Sequence, residues 1–145
     1  MSIEEFLARV PIFAPLNKEQ LTRLAQLVAT RSYTPGSIII REGETEASLY
    51  IIMRGEVAVS KKAVRGGTVP LTTLCAGDFV GEMTLLDGAP RSATATAVTA
   101  TECIVLSRWI FNGLLRSDPL IAVAMLPILS RRLRDADDST RKLHS

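Results

Sequence analysis

Between Tyr33 and Ser107 the chain is cut into short apolar runs separated by turns, and this punctuation limits the fold more than any other feature. The segments "SIIIRE", "SLYIIMR", "EVAVSKK", "VPLTTL", "SATATAVTA" and "TECIVLS" are β-branched or alternate in polarity, as strands do. Between them stand Pro35-Gly36, Gly43, Arg54-Gly55, Gly66-Gly67 and Ala76-Gly77-Asp78, residues that favour tight turns. Many short strands at close spacing predict a jelly-roll-like double sheet or barrel. In "SATATAVTA" small residues alternate with threonines, so this strand is expected to pack closely against something bulky.

The flanks follow a different period. Over residues 3–30, Phe6, Leu7, Val10, Ile12, Phe13, Leu21, Leu24, Ala25 and Val28 recur at spacings of three and four, which predicts helix. Pro11 and Pro15 split it in two, and Asn17 with Gln20 three residues on has the form of a capping box. From Arg108 onward "RWIFNGLLR" predicts a short helix, and Ser117-Asp118-Pro119 a restart. Ala122, Leu126, Leu129, Leu133, Ala136, Thr140 and Leu143 then form a heptad-like seam. It faces a second protomer, giving a homodimer, or packs back on the sheets. Pro127 is expected to bend this helix.

At 145 residues, 47% apolar and 22% charged, the chain fits one globular domain. A net charge of +2 is too small to argue for nucleic acid or an anionic membrane. The run Leu120–Leu129 is too short to cross a bilayer, and Glu4 and Glu5 stand where a secretory signal would be basic. A cytoplasmic location is therefore expected. Cys75 and Cys103 lie in strand-like contexts and read as buried structural thiols. The single histidine, His144, is next to the last residue, which argues against Ser-His or Cys-His catalysis and against a His-ligated metal. No cofactor and no enzymatic activity are expected.

The stretch "GDFVGEMTLLDGAPRSATATA" then places two opposite charges, Glu82 and Arg91, in apolar surroundings. Charges in such places need partners. A one- or two-turn helix is expected over about Glu82–Leu86, buried through Met83, Leu85 and Leu86. Its first N–H groups would favour an anion, with Gly81 admitting a ligand close to the backbone. Arg91 would point to the same place if residues 87–90 fold the chain back, and a guanidinium forks onto two phosphate oxygens. Ser92 adds a neutral donor. Glu82 would repel phosphate, so it must address something else, and a sugar hydroxyl suits it. A cyclic nucleotide carries both groups, with a single negative charge. The plainer alternative is a partly buried salt bridge that staples a loop.

With the flanking pattern included, "VGEMTLLDGAPRSATA" resembles the phosphate-binding cassette of cyclic-nucleotide-binding domains, F-G-E-(L/M)-A-L-(L/I)-x(2,5)-P-R-(S/A/T)-A-T. That module is shared by bacterial catabolite activators, regulatory subunits of cAMP-dependent kinase and cyclic-nucleotide-gated channels. Upstream, "PGSIIIREGETEASLYIIMRGEVAV" and "AGDFVGE" are similar to the family's preceding strands. The resemblance implies a mainly β fold: helices over about 3–30, an eight-stranded β-roll over about 31–107 with the cassette at 81–92, and two C-terminal helices over about 108–143. It implies a ligand site built from Val80, Gly81, Glu82, Met83, Thr84, Arg91, Ser92 and Ala93. Gly81 and Glu82 stand at the ribose 2′-hydroxyl, and Arg91 at the cyclic phosphate. The family's phenylalanine before the glycine is Val80 here, a change of packing more than of chemistry.

The resemblance also implies a regulatory receptor, with cAMP favoured over cGMP and a last helix that closes over the base. Arg131, Arg132, Arg134 and Asp135 are the candidates to cap the base, alongside the simpler reading of a solvated charged face that includes Asp137 and Asp138. No helix-turn-helix, kinase, cyclase or pore segment is visible within the 145 residues. The expected partner is thus an effector protein or domain, with the chain either a stand-alone sensor or part of something larger. A protein-interaction scaffold of the same fold without ligand is the alternative.

Overall fold

Three short elements open the chain: α1 (Ile3–Ala8), a 3-10 turn (Pro11–Phe13) and α2 (Lys18–Ala25). In this computed structural model residues 1–144 are described, the side chains of Arg132 and of residues 136–144 excepted. The predicted capping box forms: the Gln20 N–H donates to Asn17 Oδ1 at 2.8 Å, and the Asn17 N–H to Gln20 Oε1 at 3.0 Å. It holds two of the N–H groups that a helix start leaves without internal partners.

Eight antiparallel strands follow in two four-stranded sheets. They are β1 (Ala29–Tyr33), β2 (Ile38–Ile40), β3 (Ser48–Arg54), β4 (Val57–Lys62), β5 (Thr68–Leu74), β6 (Phe79–Val80), β7 (Thr94–Ala97) and β8 (Thr101–Ser107). The sheets run β1-β8-β3-β6 and β2-β7-β4-β5. The mainly β roll with helices at both ends is the fold class expected above. One boundary is corrected: sheet begins at Ala29, inside the stretch read as helix. β1 is almost wholly exposed, so no alternation announces it, and pairing with β8 from Ala29↔Val105 to Tyr33↔Thr101 holds it.

Strands β3 and β8 are buried on both faces. Leu49, Ile51, Ile104 and Leu106 face the helices, in one core with Phe6, Leu7, Phe13, Leu85, Phe111 and Ile121. Tyr50, Ile52, Cys103 and Val105 face the inside of the roll, in a second core with Ile40, Val57, Val59, Ala95 and Ala97. Side chains alternate across a strand, so a strand between two cores reads as a continuous apolar run. Ala95 and Ala97 are buried against these larger neighbours, as the alternation in β7 predicts.

Cys75 departs from expectation. It is exposed, just beyond the largely exposed strand β5, and its Sγ donates to Asp78 Oδ2 at 3.5 Å; Cys103 is buried as predicted. Burial pushes the Cys103 thiol up to about 11.

Helix α3 (Glu82–Asp87) joins β6 to the return toward β7. Helix α4 (Arg108–Ser117) starts on a Ser107 cap that accepts the Ile110 N–H at 3.2 Å, and α5 (Pro119–His144) follows after Asp118. α5 continues through Pro127. Its inward side carries Ile121 and Met125, with Ala124, Ile128 and Leu129 half-buried. Of the seam, Leu126 and Leu133 are exposed, as is Val123, while Ala136, Thr140 and Leu143 lie outside the described side chains. Among the described residues no single helix is long and apolar enough to cross a membrane.

Candidate functional site

The edge of the roll is built where β6 meets β3, Tyr50 pairing with Val80. The next residue, Gly81, takes φ +92°, a conformation that residues with a Cβ rarely adopt. This turn starts α3, whose Leu85 is fully buried in the helix-side core. The helix ends on Gly88 in a left-handed cap, against which the Arg108 guanidinium packs. Arg108 Nη2 also reaches the Leu86 carbonyl at 3.5 Å, tying α4 to the end of α3.

The chain then returns, and two main-chain hydrogen bonds clamp it to the 43–44 turn. The Arg91 N–H donates to the Glu44 carbonyl at 2.8 Å, and the Gly43 N–H to the Arg91 carbonyl at 2.9 Å. This fixes where the guanidinium can go. Its Nη2 donates to the Ser48 carbonyl at 2.6 Å and to Glu46 Oε2 at 2.9 Å. Its Cζ lies 5.8 Å from the centre of the Tyr50 ring, within cation–π range. The side chain is only 2% exposed, yet Nε and Nη1 have no hydrogen-bond partner among the described residues. A buried guanidinium with two idle donors is costly unless something else takes them.

Those donors belong to a residue that lines a cavity of about 220 Å3, together with Ile40, Val80, Gly81, Met83, Thr84, Ser92 and Ala93. Among the described residues Arg91 is the only charged one in this lining. A larger cleft of about 330 Å3 lies around Tyr33, Arg54 and Glu102, but no buried charge marks it. Among the described residues no group of three His, Cys, Asp or Glu side chains is placed to hold a metal ion.

The eight cassette residues named from the sequence are thus brought to one place: seven line the cavity, and Glu82 is buried at the start of α3. Met83 is corrected. It was expected in the core and is half-exposed at the cavity instead, while Leu85 takes the buried position. A six-residue helix has one inward face, and Leu85 occupies it. Arg131, Arg134 and Asp135 are exposed on α5 and do not line the cavity; the Arg132, Asp137 and Asp138 side chains lie outside the described residues.

Sequence reasoning missed Ile40, Glu46, Ser48 and Tyr50. Ile40 ends a run legible only as a strand. Glu46 sits among Glu42 and Glu44 in one turn, and nothing local distinguishes the acid that meets Arg91. Burial raises the Glu46 carboxyl, but hydrogen bonds from Ser48 and Arg91, with the charge of Arg91, outweigh it and hold the group below its usual range. Burial and the neighbouring Glu46 carboxylate push the Tyr50 phenol up, so it remains a protonated donor, and its hydroxyl reaches Glu46 Oε2 at 3.2 Å.

Comparison with known proteins agrees with this geometry. The family model for the cyclic nucleotide-binding domain matches residues 30–118. The chain is 35% identical over 127 residues to the cyclic AMP receptor protein of Thermus thermophilus, covering 88% of this chain and 59% of that protein. It is 34% identical over 114 residues to the cAMP-dependent protein kinase regulatory subunit of Dictyostelium discoideum, covering 77% of this chain and 35% of that one. It therefore spans less than two thirds of the length of these relatives. The N-terminal domain of a transcriptional regulator from Streptomyces coelicolor superposes with a TM-score of 0.84 at 30% identity, over 92% of this chain and 95% of that structure. With the match spanning the roll, the cassette and α4, the chain belongs to the cyclic nucleotide-binding domain family.

Proposed function

We propose that the chain is a cyclic-nucleotide receptor whose cavity takes the cyclic phosphate of cAMP on Arg91, with no catalysis of its own. The observation that carries this reading is the buried guanidinium with Nε and Nη1 idle at the cavity. A phosphodiester offers anionic oxygens that an idle guanidinium N–H can donate to, and one negative charge. Glu82 would accept from the ribose 2′-hydroxyl. Ser92 is exposed at the cavity and would add a hydroxyl donor. The preference for cAMP over cGMP rests on the two relatives above, a cyclic AMP receptor protein and a cAMP-dependent kinase regulatory subunit.

The cavity is lined by the roll and α3, so the purine would meet solvent unless α5 moves. Closure of α5 over the base, with Arg131, Arg132, Arg134 or Asp135 as cap, would let ligand shift an open-closed population. The exposed Val123, Leu126 and Leu133 on α5 would then supply a contact with an effector or a second copy.

Thermal unfolding with cAMP, cGMP and 5′-AMP tests the reading. Ligand at 100 times its Kd adds about 2.7 kcal/mol of stability. The wild type should be stabilised most by cAMP, and Arg91→Leu should remove the shift while remaining folded. An unchanged shift in Arg91→Leu would refute the site, and conversion of cAMP to AMP would refute the absence of catalysis.

A further inference from the structure

The nitrogens of the Arg91 guanidinium differ in occupancy. Nη2 is held by the Glu46 carboxylate at 2.9 Å and the Ser48 carbonyl at 2.6 Å. Nε and Nη1 are buried and idle. Glu46 is itself fixed. The Tyr50 hydroxyl and Arg91 Nη2 both donate to the same oxygen, Oε2, at 3.2 and 2.9 Å. Tyr50 is buried on β3, so the carboxylate is braced from the core while its other side, 48% exposed, meets water. A negative charge is therefore anchored on the same guanidinium as any anion that docks on Nε or Nη1.

We propose that Glu46 is a specificity-determining residue that sets the cavity to accept one negative charge, so that a cyclic phosphodiester is taken and a 5′-phosphomonoester refused. This rests on the reading of the cavity as a cyclic-phosphate site. Among the described residues Arg91 is the only cation in the lining, and Glu46 already neutralises part of it. A cyclic phosphate adds one negative charge beside a cation that Glu46 already pairs. A monoester brings about −1.5 to −2 at pH 7, and the surplus meets Glu46 across the guanidinium with no second cation to offset it. At about 6 Å and an effective dielectric near 20 the repulsion is substantial for each charge, and the half-exposure of Glu46 reduces it to roughly a tenfold change in affinity per unit charge. Packing of the nucleoside contributes equally with or without Glu46, so the effect separates from shape by comparing ratios.

Displacement of a fluorescent cyclic-nucleotide analogue from the purified chain by cAMP and by 5′-AMP measures it. Glu46→Gln keeps an acceptor oxygen for Arg91 and Tyr50 and removes the charge. The affinity for 5′-AMP should rise about three- to tenfold more than that for cAMP, narrowing the ratio between them by that factor. Tyr50→Phe, which loosens Glu46 without removing it, should narrow the ratio in the same direction by less. An unchanged ratio in Glu46→Gln, or equal weakening of both ligands, would overturn the proposal and leave Glu46 as a positioning residue for Arg91. If the wild type displaces the analogue with neither ligand, the receptor reading itself fails, and this inference with it. Apo melting curves of each variant show that the comparison is made on folded protein.

Discussion

The volume that a side chain on Gly81 would need is already filled by the guanidinium of Arg91. A Cβ built there would collide with Arg91 Nη1 and lie 2.7 Å from the Ser48 carbonyl oxygen, at a backbone φ of +92°. The glycine and the arginine are thus one device. The missing Cβ is what lets a buried cation lie flat against the turn that begins the cassette helix.

Gly81→Ala should accordingly cost about 1–2 kcal/mol from the left-handed backbone alone, with more from the contact with Ser48, whose main-chain oxygen cannot swing away. Nucleotide affinity should fall further than stability does, because relief of the clash displaces Nη1. Calorimetric titration beside a melting curve separates the two effects. Affinity equal to wild type in a folded Gly81→Ala protein would contradict the link.

Asn17→Ala serves as the opposite case. It removes the acceptor for the Gln20 N–H and should lower stability by about 1 kcal/mol, as helix-cap losses do. Asn17 lies outside the cavity lining, so ligand affinity should stay at the wild-type value. Denaturant unfolding reads the first and titration the second.

The pH dependence of apo stability should carry the Glu46–Arg91 pair. The folded-state carboxyl is held below its usual 4.5, so its contribution is present above that value and is lost as pH falls through the folded pKa. Melting temperatures of wild type and Glu46→Gln should therefore differ at pH 7 and converge in acid below about 4.5. A gap that stays constant down to pH 3 would show that the pair adds nothing in the folded state. Half-exposure of Glu46 keeps the expected effect modest.

Thiol titration should find one reactive cysteine in the folded protein. Cys75 is exposed, and its hydrogen bond to the Asp78 carboxylate raises its pKa, so Asp78→Asn should speed its modification. Cys103 is buried on β8 and should react only on unfolding. Two equally fast thiols in the native state would contradict the packing of β8 against the inner core.

Much of the fold was legible because side-chain period is a local property. The predicted segments "SLYIIMR" and "TECIVLS" coincide with β3 and β8, and the Asn17–Gln20 box is a three-residue relationship. The cassette was legible for the same reason: Gly81, Glu82, Arg91 and Ser92 lie within one short stretch. β1 was not, since its polar residues are held by β8 some seventy positions away, and neither was the exposure of Met83 or of Leu126, because an apolar residue does not state which side of its helix has a neighbour.

The sequence by itself determined the order of the helices and of the strands other than β1, the turn that positions Gly81, and the presence of a charged pair in an apolar cassette. Tertiary structure alone decided which acid meets Arg91. Glu46 stands 45 positions away, in a turn of several interchangeable carboxylates, and only the main-chain clamp between residues 43–44 and Arg91 brings that one within reach. Electrostatic pairing depends on distance through space, and distance through space is fixed by strand pairing and packing that no local pattern encodes.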